Sequence, residues 1–214
     1  MIWQTYTYDY ETPGSYFGSM KACEPLHIQM NLPGKEVMII NTTRKAYPSM
    51  TATLSYFSPE GKELYRKSIR KSAAANSATP CFKPEEPTLP PLYLARLELK
   101  DNRGRIVSIN DYWMTNGTEN AWTSINEVPE ATIRIRLLPD GENTRVELIN
   151  DSSAPAIAIK LNAVNPEDKS YILPACFSDG YFNLLPGEKR ILSLSLPFHH
   201  SSDFEVKASA YNLK

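Results

Sequence analysis

The chain of 214 residues carries 23 Lys+Arg against 24 Asp+Glu, a net charge of −1, and is 42 % hydrophobic. That is enough for one large or two ordinary domains with packed cores, and it gives no electrostatic basis for nucleic acid or an anionic membrane as a partner. No run of about 18 apolar residues occurs, so no membrane-spanning helix is expected, and 17 prolines against 9 glycines suit a loop-rich, all-β chain.

The first residues, Met1-Ile2-Trp3-Gln4-Thr5-Tyr6, have neither the basic start nor the apolar stretch of a secretory leader. An excised piece would read the same, so the compartment stays open. Aromatic residues crowd this end: Trp3, Tyr6, Tyr8, Tyr10, Tyr16 and Phe17. Pro13-Gly14-Ser15 then reads as a turn and helix start. Tyr16, Phe17, Met20 and Cys23 follow on one face of a short helix that Pro25 ends. A helix of about nine residues is too short to stand alone and must pack on something.

From His27 onward the period changes to two. Met50, Ala52, Leu54 and Tyr56 alternate with polar residues, and Tyr93, Ala95, Leu97 and Leu99 alternate with Leu94, Arg96, Glu98 and Lys100. The runs from Ile157 to Ala163, Leu192 to Leu196 and Phe204 to Ala210 repeat the pattern. These are strands with one wet and one dry face. Pro59-Glu60-Gly61, Asp101-Asn102-Arg103-Gly104, Pro139-Asp140-Gly141 and Pro186-Gly187 are the turns between them. The Ala-, Ser- and Pro-rich stretch Ser72–Pro91 reads as one long loop, with Leu92 opening the next strand.

An internal repeat gives the domain organisation. Ile40-Asn41-Thr42-Thr43, Pro48, an alternating strand and Pro59-Glu60-Gly61-Lys62 are matched by Ile149-Asn150-Asp151-Ser152, Pro155, an alternating strand and Pro166-Glu167-Asp168-Lys169. The spacing is that of one immunoglobulin-like sandwich. The fold expected is all-β: two tandem immunoglobulin-like β-sandwiches, residues 28–126 and 127–214, preceded by a short helical segment within residues 1–27.

Three segments resemble the C-terminal half of family 2 glycoside hydrolases, in the branch of exo-β-D-glucosaminidases and β-mannosidases. They are Trp3-Gln4 through Tyr16-Phe17-Gly18-Ser19-Met20-Lys21-Ala22-Cys23-Glu24-Pro25-Leu26-His27-Ile28-Gln29, Leu97–Asp101 through Ser108–Trp113, and Leu173 through Asp179-Gly180-Tyr181-Phe182 to Glu188. The resemblance implies that residues 1–27 are the end of a catalytic (β/α)8 barrel and a linker, that the sandwiches support that barrel, and that a β-linked glycan is the parent enzyme's substrate. It also implies a periplasmic or extracellular parent. Thr7 departs from the acidic residue expected there.

The two carboxyl groups of a retaining glycosidase sit about 5–5.5 Å apart, and in that family both lie on the barrel. The resemblance therefore carries no catalytic residue onto this chain, and the fragment alone is expected not to be an enzyme. Glu85-Glu86 and Glu167-Asp168 read as solvated loop acids. His27 and His199-His200 form no metal site, and no cofactor is expected. Trp3, Tyr6 and Tyr8 are the substrate-facing candidates, because aromatic faces stack on sugars at the end of a barrel strand. The same rings could instead fill the seam between barrel and sandwich.

Asn41-Thr42-Thr43, Asn116-Gly117-Thr118 and Asn150-Asp151-Ser152 match the glycosylation pattern and are read as turns. Two other functions fit the strands: an autonomous carbohydrate-binding module using Tyr112, Trp113 and Trp122, and a tandem immunoglobulin-like adhesion protein.

Overall fold

The computed structural model describes residues 5–32, 34–85, 88–140, 143–198 and 203–213. It is an all-β protein with two immunoglobulin-like sandwiches and one short α-helix ahead of them, α1 (Gly14–Ala22). The chain divides into two compact units: Met20–Glu127, and Val128–Lys214 together with the N-terminal residues as far as Ser19. The division falls inside α1.

The first unit holds β1 (Leu26–Asn31), β2 (Glu36–Asn41), β3 (Tyr47–Phe57), β4 (Glu63–Ala73), β5 (Ser77–Phe82), β6 (Leu92–Lys100) and β7 (Ile106–Thr115). They form an antiparallel sheet ordered β1-β2-β5 and another ordered β4-β3-β6-β7. The period-2 residues meet between the sheets. Ile28, Val37 and Ile39 from one and Ala52, Leu54, Tyr56 and Leu97 from the other make a single dry core.

The second unit holds β8 (Ile133–Asp140), β9 (Asn143–Asn150), β10 (Ala156–Val164), β11 (Cys176–Phe177), β12 (Phe182–Leu184), β13 (Lys189–Ser195) and β14 (Glu205–Ser209). Its sheets are ordered β11-β13-β9-β8 and β12-β10-β14. Val146, Leu148 and Leu192 face Ile159, Leu161 and Leu184 in its core.

The sequence repeat is a topological repeat. In each sandwich a hairpin (β1–β2 or β8–β9) ends on an asparagine, and the chain then crosses to the opposite sheet as β3 or β10. Asn41 is 1 % exposed and Asn150 0 %. Asn41 donates to the Lys45 and Ala74 carbonyls at 2.8 and 2.7 Å, and accepts from Thr43 N at 3.0 Å and Thr43 Oγ1 at 2.8 Å. Asn150 donates to the Ala154 and Leu184 carbonyls at 2.8 and 2.9 Å and accepts from Ser152 N at 3.1 Å and from Ser152 Oγ. Both amides use their full donor capacity on backbone carbonyls.

Three local expectations differ from the structure. Part of the stretch read as a loop, Ser77–Phe82, is strand β5, paired to β2 with Pro80 opposite Met38 and a register shift beside it. Its Ala, Ser and Pro content hides the strand, and its place at the sheet edge tolerates the proline.

The β6 residues expected on a wet face are buried: Leu94 is 1 % and Arg96 3 % exposed. A 3-10 helix, Ala121–Glu127, packs on β6. Arg96 is satisfied by a bidentate pair with Asp111 at 2.8 and 2.8 Å, the geometry that lets a guanidinium leave water.

The helix has no broad apolar face. Among the described residues of α1, Phe17 is the buried one, and Cys23 lies beyond its end, exposed.

Candidate functional site

The aromatic N-terminal segment is the candidate with the most local order. Thr7 and Glu11 close a tight loop: Thr7 N donates to the Glu11 carbonyl at 2.9 Å, Glu11 N to Thr7 Oγ1 at 3.1 Å, and Tyr10 N to the Thr7 carbonyl at 3.0 Å. Tyr10 sits at φ 67°, a strained position for a bulky residue that these bonds hold. The Thr7 hydroxyl also donates to Asp9 and holds its carboxyl below the usual range.

The loop presents its rings outward. Tyr6 is 55 % and Tyr8 98 % exposed, and Tyr6 stacks on Tyr10 with centroids 6.0 Å apart. The third ring expected here, Trp3, lies outside the described residues.

Side chains of the second sandwich anchor this loop. Glu11 pairs with Lys160 and accepts from Asn162 Nδ2 at 3.3 Å, both on β10. Burial alone would push the Lys160 ammonium down. Glu11, with Tyr181 and Tyr171 nearby, more than offsets this and raises it above its ordinary value, so the ammonium keeps its charge at neutral pH. A few residues on, the Phe17 ring lies against Gly180 and 6.1 Å from the Tyr181 ring, and Tyr181 also covers Gly14. Sequence reasoning did not find this anchor. Its partners are about 150 residues apart, and in the sequence only Phe17 and the Asp179-Gly180-Tyr181 run stand out.

A polar network occupies the first sandwich where α1 hands over to β1. Glu24 accepts from Lys21 Nζ at 2.6 Å, Ser108 Oγ at 2.6 Å and His27 Nδ1 at 3.2 Å. On the same side of β7, Ser108, Asn110 and Tyr112 reach the open edge of β1. Ile28 N donates to Ser108 Oγ at 3.4 Å, Asn110 Nδ2 to the Ile28 carbonyl at 3.3 Å, and Met30 N to the Tyr112 hydroxyl at 3.3 Å. These side chains stand where a further strand would pair and so protect the edge.

Burial acts to raise the Glu24 carboxyl, but the bonds from His27, Lys21 and Ser108 outweigh it and hold the group below its ordinary value. A depressed carboxylate stabilises the fold above its unfolded pKa and loses that contribution as pH falls through the folded value. Glu24→Gln is therefore expected to cost about 1 kcal/mol at pH 7. The difference from wild type should shrink in acid, as read from urea midpoints at neutral and acid pH. A difference that stays constant with pH would refute the charged role.

The other marked residues form no second site. Tyr112 and Trp113 are neighbours on β7 and project to opposite faces. Tyr112 packs on the core of its sandwich and bonds Asn110 at 2.9 Å, so these rings make no common sugar platform with Trp122. Glu85 pairs with Lys67 at 3.2 Å, and Asp168 accepts from Ser170 N at 2.9 Å. Glu86, His199 and His200 lie outside the described residues. Among the described residues no group of three or more His, Cys, Asp or Glu side chains could hold a metal ion, and no helix is long and apolar enough to cross a membrane.

Residues 110–213 match the family model of the exo-β-D-glucosaminidase Ig-fold domain. An exo-β-D-glucosaminidase of Streptomyces avermitilis is 28 % identical over 98 % of this chain and 26 % of its own length. The solved structure of the Amycolatopsis orientalis exo-chitosanase CsxA superposes with a TM-score of 0.86 at 24 % identity, over 99 % of this chain and 28 % of that one. A β-D-mannosidase from Dictyoglomus thermophilum gives a TM-score of 0.73 at 16 % identity, over 99 % of this chain and 24 % of that one. At these identities the two structures speak to fold. The chain spans about a quarter of the length of the curated relatives it matches.

Proposed function

Since residues 110–213 match the exo-β-D-glucosaminidase Ig-fold domain model, and the likeness to exo-β-D-glucosaminidases runs along the chain, we propose that this protein is the non-catalytic sandwich region of such a family 2 glycoside hydrolase. In this reading residues 1–27 are the tail of a catalytic (β/α)8 barrel and a linker, and residues 28–126 and 127–214 are two modules that support that barrel. The barrel is the intramolecular partner and a β-linked amino-sugar glycan the substrate of the whole enzyme. A β-glucosaminidase is favoured over a β-mannosidase, because the mannosidase likeness is the more distant one.

The observation that carries the proposal is coverage. Nearly the whole chain aligns with relatives named exo-β-D-glucosaminidase, yet it accounts for about a quarter of each. The exposed rings of Tyr6 and Tyr8 are consistent with it. A loop stiffened by its own hydrogen bonds and anchored on β10 is a costly way to hold tyrosines in water. As the tail of a barrel it would place Tyr6 and Tyr8, with Trp3 ahead of them, at the barrel's substrate-facing edge.

The expected result is no release of nitrophenol from an aryl β-D-glucosaminide by the 214-residue chain. A longer polypeptide that includes the residues preceding it in its gene should give turnover. Turnover by the 214-residue chain well above a buffer blank would overturn the proposal, and so would an inactive longer polypeptide.

A further inference from the structure

The first sandwich has an open groove of about 580 Å³ at one end, within the ~300–1,000 Å³ range of small-ligand clefts. Its floor is apolar. Met50 and Leu26 are buried there, and Tyr47 and Val107 line its sides. One wall is the turn Asp101–Arg105, and the other is the segment from Thr43 to Pro48.

Both walls are held in place. Asp101 accepts from Arg103 N at 2.9 Å, Arg105 N at 3.0 Å and Arg105 Nε at 2.8 Å, while Asn41 and Thr43 bond the Lys45 carbonyl at 2.8 and 3.2 Å. Beside Tyr47 the strand slips register, and Ser49 sits at φ 56°. This is a bulge of the kind that re-aims a side chain next to a site.

The charges on the lining are unequal in availability. Glu24 is neutralised by Lys21, and Asp101 by Arg105 at 2.7 Å. The bonds around both acids hold them ionised. Arg103 is different: among the described residues its guanidinium has no partner, and neither has the amide of Asn102, and both are exposed on the rim. Arg44 and Lys45, exposed on the adjoining loop, add positive charge. The groove thus offers an aromatic face, a planar amide and a guanidinium with five donors to spare, the fork that matches a carboxylate. The Asp101–Arg105 turn bonds its backbone within itself, and the Thr43 and Lys45 carbonyls of the other wall are taken by Asn76 N and the Asn41 amide, which leaves these walls little ladder for strand addition by an extended peptide.

We propose that this groove binds a carboxylated sugar, a uronic acid residue, with its carboxylate on Arg103 and its ring against Tyr47. The site is independent of the glucosaminidase reading, since its positive rim disfavours a cationic amino sugar.

Isotope-labelled protein of the full 214 residues, titrated with D-glucuronate, D-glucose and D-glucosamine, tests this by amide chemical shifts. Glucuronate is expected to shift Tyr47, Asn102 and Arg103 with millimolar affinity, glucose far less, and glucosamine not at all. Arg103→Gln, an exposed change that should leave thermal unfolding as it is, is expected to weaken glucuronate binding about tenfold, and Tyr47→Ala to weaken it as well. No shift at high millimolar glucuronate overturns the proposal, as does equal response to glucose or wild-type affinity in Arg103→Gln. If N-acetylglutamate shifts the same residues as strongly as glucuronate, the groove is a contact for acidic protein side chains and the sugar assignment fails.

Discussion

Asn150→Ala is expected to destabilise the second sandwich by about 3 kcal/mol, and Asn41→Ala the first by about 1–2 kcal/mol. Asn150→Ala takes a partner from the buried Leu184 carbonyl and from the Ser152 N–H, while the Ala154 carbonyl keeps the Ser152 hydroxyl. Asn41→Ala leaves the Lys45 and Ala74 carbonyls to the Thr43 and Ser77 hydroxyls and takes the partner of the Thr43 N–H, and each orphaned buried group costs about 1–3 kcal/mol. Substitution by aspartate separates this from loss of packing. Asn150→Asp preserves the shape but cannot donate to the Ala154 and Leu184 carbonyls, and it brings a charge into a site with no exposure. It should be at least as damaging as alanine. Urea unfolding followed by circular dichroism reads all three variants. A loss under about 1 kcal/mol would mean that water or a rearranged turn replaces the amide.

The same geometry decides a question the sequence raised. Both asparagines sit in the glycosylation pattern, yet both are buried and both amide hydrogens are spent on backbone carbonyls, which opposes a glycan on either in the folded protein. Asn116, the third such residue, is exposed and shares its side chain with Thr118 and the Leu89 carbonyl.

The sandwich fold and the repeat were legible in the sequence because both follow from local pattern. Met50 to Tyr56 and Ile159 to Ala163 alternate strictly, and Asn41 and Asn150 recur at equivalent corners. What was hidden depends on partners distant in sequence. Strand β5 contains Pro80 and reads as a loop until β2 supplies its hydrogen bonds. Arg96 reads as solvent-facing until Asp111 and the 3-10 helix enclose it. Tyr112 and Trp113 look like one cluster in the chain but sit on opposite faces of β7. The tie between Glu11 and Lys160 joins two unremarkable polar residues, and no spacing rule marks them out.

Phe17→Ala is the second change with a large expected effect, about 3 kcal/mol on the unit that holds the second sandwich. Phe17 is 6 % exposed, and a nine-residue helix has little stability of its own, so the ring is what fastens the start of α1. Its seat requires a glycine. A Cβ on Gly180 would stand 2.7 Å from the Phe17 ring, inside any tolerable contact, so Gly180→Ala is expected to cost about 1–3 kcal/mol by overpacking. The two losses should not add. With Phe17 already cut to alanine, the methyl at position 180 has room, and the double variant should be no less stable than Phe17→Ala alone, within about 0.5 kcal/mol. Limited proteolysis gives an independent readout. Once the ring is gone, the loop from Thr7 to Glu11 is tied down among the described residues by its Lys160 and Asn162 contacts, and cleavage between Tyr6 and Pro13 should rise in Phe17→Ala and in Gly180→Ala alike. Strict additivity, or unchanged cleavage in both single variants, would show that the leader is held by something other than this ring. The proposed role of residues 1–27 as the joint between a barrel and its sandwiches would then lose its mechanical basis.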